Sequence, residues 1–218
     1  MTFLRPAILA SCFVVALTSY SAPTQTHKPA TRDFNVATSP DGLFEVRYPK
    51  SLVVCSHRDG ENPDVWSPEE CIADIPVCDN SGHAGEVMIC LAYPAGEFEK
   101  SELQAAAFAV SRIGNIHSAG DCTKKWPRSN TSEIHSQRIG GLTFQAAVAR
   151  ESGNSHTVFA NLYRIFHGGA CYELDVSIAL AQETAFAPED APRKLPAAER
   201  ERMKGMLMQA LAGFRFLK

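Results

Sequence analysis

Two spacings of apolar residues alternate along the chain, and they divide it into elements. Over residues 43–48, Phe44, Val46 and Tyr48 alternate with Leu43, Glu45 and Arg47, the period of a half-buried strand. Pro49 ends that strand because it has no backbone donor to give a ladder. Residues 52–55 are a second short apolar run, and residues 87–93 (VMICLAY) read as a buried strand closed by Pro94. Over residues 101–113 the spacing changes to that of a helix. Leu103, Ala106, Ala107, Val110 and Ile113 share one face, Ser101 and Gln104 have capping-box spacing, and Gly114 suits the C-terminal cap. From 132 to 179 the period is two again. Gly140-Gly141, the 152–155 turn and Gly168-Gly169 divide that stretch into an antiparallel meander. In its last strand Tyr172, Leu174, Val176 and Ile178 face one way and Cys171, Glu173, Asp175 and Ser177 the other. A proline-rich loop over 181–195 leads to a closing helix over 196–212, where Met203, Met206, Leu207, Ala210 and Leu211 form one stripe that continues to Phe214. The reading is an α+β fold, an antiparallel β-sheet packed by two amphipathic helices.

The segments outside these patterns set the compartment. Arg5, the apolar run 7–17 and small residues at Ser19 and Ser21 make residues 1–21 a signal peptide. The run is too short to anchor in a bilayer, which takes about 20 apolar residues. Leu9-Ala10-Ser11-Cys12 also fits a lipobox, so a lipid anchor at Cys12 is the alternative to plain secreted or periplasmic export. Residues 22–33 are a polar, flexible lead-in, and 34–218 form a single α+β domain. The remaining cysteines, Cys55, Cys71, Cys78, Cys90, Cys122 and Cys171, are an even set in an exported chain and read as disulfides. Cys71–Cys78 is the expected local staple, and Cys122–Cys171 the bond from the post-helix segment to the meander. The 218-residue chain has a formal charge of −3 and no basic block, which excludes nucleic acid and anionic membranes as partners; no segment is long enough for a membrane span.

The candidate chemistry is sparse. Residues 57–86 form a long polar loop carrying Trp66 and His83, and loops of this length are commonly functional or pinned. Trp66 is a candidate aromatic anchor for a partner, with His83 beside it as a binding residue. Cys71, Cys78 and His83 are too loosely spaced for a compact zinc site, no histidines stand at helical i, i+4 spacing, and no Gly-x-Ser-x-Gly or phosphate loop occurs. No metal, cofactor or catalytic set is expected. Glu173 and Asp175, on what reads as the wet face of their strand, are the one pair that could serve a hydrolase.

Three short segments and the element order together resemble the PsbP-like family, in particular its exported bacterial members of unknown function. Residues 42–49 (GLFEVRYP) are similar to the family's opening GFSFRYP-type strand, 169–174 (GACYEL) to a late strand, and 213–216 (GFRF) to its closing segment. The resemblance implies an α/β/α sandwich, here stapled by disulfides. The expected function is a non-catalytic binding or accessory domain that recognises a protein or small molecule through the 57–86 loop. The alternative is a hydrolase-type enzyme using the carboxylates of the 170–179 strand. Oligomeric state has no signature in the sequence.

Overall fold

In the computed structural model the described residues are 34–57, 66–67, 78, 84–94, 101–124, 126, 131–153 and 155–217. The signal-peptide and lead-in readings, Cys12, Cys71 and His83 fall outside them, as does the side chain of Trp66. Eleven strands occur among the described residues: β1 (Phe34–Thr38), β2 (Phe44–Pro49), β3 (Val53–His57), β4 (Trp66–Ser67), β5 (Glu86–Ala92), β6 (Leu103–Ile113), β7 (Thr131–Ile139), β8 (Leu142–Ser152), β9 (His156–His167), β10 (Ala170–Ala181) and β11 (Phe214–Phe216). The α-helices are α1 (Ala119–Lys124) and α2 (Ala197–Ala212). β4-β3-β5-β6-β10-β9-β8-β7 make one eight-stranded sheet, and β1-β2-β11 a three-stranded one. Every pairing of these strands is antiparallel.

The meander folds as its pattern requires. At both two-residue turns, Gly140-Gly141 (φ 55° and 86°) and Gly168-Gly169 (φ 56° and 83°), the two residues are left-handed. That conformation matches the twist of the flanking strands and is open to glycine at little cost. Tyr172, Leu174 and Val176 of β10 are buried in the main core with Phe44, Val46 and Tyr48 of β2 and with Met203, Leu207, Ala210 and Leu211 of α2. The stripe read from the α2 sequence is therefore the stripe it buries, and each large side chain in it contributes about 1.5–3 kcal/mol. Phe214, just past the helix, joins a ring cluster with Phe44 and Phe144 at centroid distances of 5.4 and 6.2 Å.

The helix expected over 101–113 is instead β6, a central strand between β5 and β10. Ala106, Phe108 and Val110 enter the main core, while Ala107 and Ala109 pack on the opposite face with Cys55, Cys78 and Cys90. A strand buried on both faces is apolar throughout, so its residues also satisfy a helical spacing. Ser101 leads into the strand rather than capping a helix: its hydroxyl accepts the Leu103 N–H at 3.2 Å. Two α-helices remain, but the first is the six-residue α1 beyond β6. β1, ahead of the first expected strand, and β11 were not anticipated as strands. β11 pairs with β2, and its entry depends on Gly213, where a Cβ would collide with the Arg47 carbonyl.

Candidate functional site

β10 divides the large sheet into two unlike faces. The face carrying Glu173, Asp175 and Ser177 was expected to be wet, yet these residues are only 1%, 1% and 2% exposed. Alternation distinguishes two faces but cannot say that neither is left open to water. Ser177 donates a short hydrogen bond to Asp175. Burial raises the Tyr163 pKa above the usual phenol value, and the charge of Asp175 raises it further. Glu173 is held by Arg164, whose Nε donates to Oε2 at 2.7 Å, with the arginine only 3% exposed. Both carboxylates are thus structural groups, and the hydrolase alternative loses the exposed acid–base pair on which it stood.

Register places Glu173 inside a polar row crossing five strands. Ser111 of β6 lies opposite Glu173, Glu173 opposite Arg164 of β9, Arg164 opposite Gln145 of β8, and Gln145 opposite Ser136 of β7. Gln145 donates to the Ser136 hydroxyl at 3.0 Å. Residues that pair across antiparallel strands are distant in sequence, so strand pattern alone could not have brought this row together.

α1 packs over the row at β9 and β10. Ser118 starts the helix: its hydroxyl accepts the Asp121 N–H at 3.1 Å and donates to the Asp121 carboxylate at 2.6 Å. Lys124 donates to the same carboxylate at 2.7 Å, and with Ser118 it holds the Asp121 pKa below its usual value. Cys122 and Cys171 form a disulfide with Cα atoms 5.5 Å apart, which fixes α1 to β10 as expected from the sequence. Arg164 Nη1 donates to the Cys122 carbonyl at 3.2 Å, and its guanidinium lies 4.9 Å from the centre of the Trp126 ring. Trp126 packs against Leu162, Ala149 and Ala160, leaving its indole N–H buried with no hydrogen-bond acceptor.

Beside this assembly is a cavity of about 490 Å³, walled by Ala84, the turn after β6 and α1, with Trp126 and Arg164 in its lining. The turn contains Asn115 at φ 57°, the one left-handed non-glycine residue among those described. Charge in the lining is largely balanced, since Arg164 pairs with Glu173 and Lys124 with Asp121. Such a site suits noncovalent recognition more than proton transfer. Among the described residues no cluster of three metal-ligating side chains occurs, and no helix is long and apolar enough to cross a membrane.

The 57–86 loop is pinned, though not as expected. Cys78 is bonded to Cys90 of β5 rather than to Cys71, with Cα atoms 5.6 Å apart. Cys55 is also disulfide-bonded. The loop is therefore stapled to the sheet instead of to itself, and Trp66–Ser67 add a short edge strand beside β3. Trp66 was the sequence candidate for the site, whereas Trp126 is the tryptophan placed at the cavity. The signal that could have found it is a lone aromatic a few residues beyond a helix anchored by cysteine.

No protein-family model matches the chain, and no curated protein sequence matches it. Solved structures do. The cyanobacterial PsbP of Synechocystis is 6% identical, with 87% of this chain and 96% of that one covered and a TM-score of 0.43. The Ran-binding protein Mog1p of Saccharomyces cerevisiae is 11% identical, with coverages of 85% and 96% and a TM-score of 0.40. A Bacteroides thetaiotaomicron protein is 16% identical over 84% of this chain, which spans about half of that protein (48%), with a TM-score of 0.37. At such identities each is a distant likeness of fold alone.

Proposed function

We propose that residues 34–218 are a single exported, non-catalytic binding domain, and that its ligand is a small molecule or protein segment carrying a hydrogen-bond acceptor. Trp126 carries this reading: it lines the 490 Å³ cavity, and its indole N–H is shut off from solvent with no acceptor. A buried donor with no acceptor costs about 1–3 kcal/mol, which a ligand oxygen recovers if the ring turns to present that N–H to the cavity. Disulfides at Cys78–Cys90 and Cys122–Cys171 support export, because such bonds persist outside the reducing cytosol. The Cys122–Cys171 bond also orders the α1 wall of the cavity before binding, which lowers the entropy cost of recognition. The 57–86 loop ends at a cavity wall, so Trp66 and His83 are proposed as further contacts from that loop.

The test is a panel of small amides and carboxylic acids titrated against the protein's tryptophan emission, with Trp66→Phe, which leaves Trp126 as the single tryptophan, used afterwards to separate the two signals. Calorimetry on any hit then compares Trp126→Phe with the parent protein. Phenylalanine keeps an aromatic ring there and deletes the N–H, at the cost of some packing, so binding should weaken about tenfold in a variant that circular dichroism shows to be folded. Equal binding by the two proteins would remove Trp126 as the anchor. Turnover abolished by Asp175→Asn, in a protein that remains folded, would restore the enzyme reading.

A further inference from the structure

α2 covers only part of the opposite face of the large sheet. It packs on β2, β6 and β10. Beyond its flank lies a trough of about 290 Å³ floored by Val148, Phe159, Val176, Ile178 and Leu180. Phe159 is 42% exposed, which is unusual for a ring on a strand inside the sheet. Its neighbours in the floor are aliphatic apart from Asn161, which register places between Val148 and Val176, so the trough is a mainly apolar surface with one amide in its floor rather than an isolated ring.

The rim is polar and mostly basic. Arg200, Glu201 and Lys204 line it from α2, and the Arg150 guanidinium stands 5.2 Å from the Phe159 ring centre. Arg200 is partly neutralised by Glu102 at 3.1 Å. Arg150 and Lys204 have no ion pair among the described residues. Two unpaired cations thus border an open apolar trough whose rim holds one carboxylate, Glu201.

We infer that this trough is a binding site for a small single-chain amphiphile with an apolar body and an anionic head. The volume accommodates about ten water-sized groups, enough for one medium-length chain and too little for a packed helix. The floor would take the chain out of water, and Lys204 and Arg150 would hold the head at the rim. The site lies on the other face of the sheet from the Trp126 cavity and stands independently of it.

Calorimetry with decanoate below its micelle concentration tests the inference, with decyltrimethylammonium and a neutral decyl glycoside as controls. Decanoate should bind at least about tenfold tighter than the cationic amphiphile, with the neutral one between them. Lys204→Glu should reduce or reverse that order. Phe159→Glu should abolish decanoate binding, and both side chains are exposed enough for the fold to survive, which circular dichroism checks. The inference is overturned if decanoate does not bind, if all three amphiphiles bind alike, or if folded Phe159→Glu binds decanoate unchanged.

Discussion

At the Arg164–Glu173 pair a full positive and a full negative charge lie 2.7 Å apart under 3% and 1% exposure. Removing both charges from water costs several kcal/mol for each, so the pair is tolerated because its geometry is good and the arginine has further partners. It bonds the Cys122 carbonyl and stacks near Trp126, tying α1 to the meander through three kinds of contact. Glu173→Gln should therefore lower unfolding free energy by about 3–5 kcal/mol, because an arginine is left buried without its counter-charge. The double change Arg164→Met with Glu173→Leu should cost less than that single change. Urea denaturation of the parent and the variants measures both. Equal losses in the single and double variants would mean that packing, and not charge, dominates there.

The elements differ in how well their sequences announced them. β2, the meander and α2 were legible because each has an unambiguous period, which β10 keeps although both its faces are buried. β6 was not, since Ala105, Ala106, Ala107 and Ala109 can satisfy a helix or a strand, and only placement between β5 and β10 decides. Alanine's preference for helix is worth under about 1 kcal/mol per residue and yields to that burial. The site was less legible than the fold: its polar row depends on cross-strand register, and α1 is too short to show a period. Stapling follows the same division. Cys122–Cys171 joins residues 49 apart and Cys78–Cys90 residues 12 apart. Loop-closure entropy then gives about 4 and about 3 kcal/mol respectively, as an upper guide. The paired change Cys122→Ser with Cys171→Ser should thus lower the Tm more than Cys78→Ser with Cys90→Ser. Peptide mapping without reduction should recover Cys78 joined to Cys90, and Cys55 joined to Cys71, the one other cysteine beyond residue 33.

Across the whole molecule, the three-stranded sheet places the beginning and the end of the described chain on either side of β2. β11 contributes Phe214 to the core, and Arg215 Nε donates to Glu45 at 2.7 Å. The Arg47 N–H reaches the Gly213 carbonyl at 3.0 Å and the Leu217 N–H the Leu43 carbonyl at 2.8 Å. Deleting residues 213–218 should strip these bonds and the Phe214 contacts together, costing more than the about 3–5 kcal/mol of a Phe→Ala change alone. Thermal unfolding of the truncated protein checks this, and an unchanged midpoint would contradict the role given to β11. The arrangement also bears on biogenesis. A chain being synthesised from its N-terminus exposes β2 long before β11 exists to flank it, so this sheet closes only after residues 214–216 have been made. Until that segment emerges, the native state is out of reach, and the chain remains threadable.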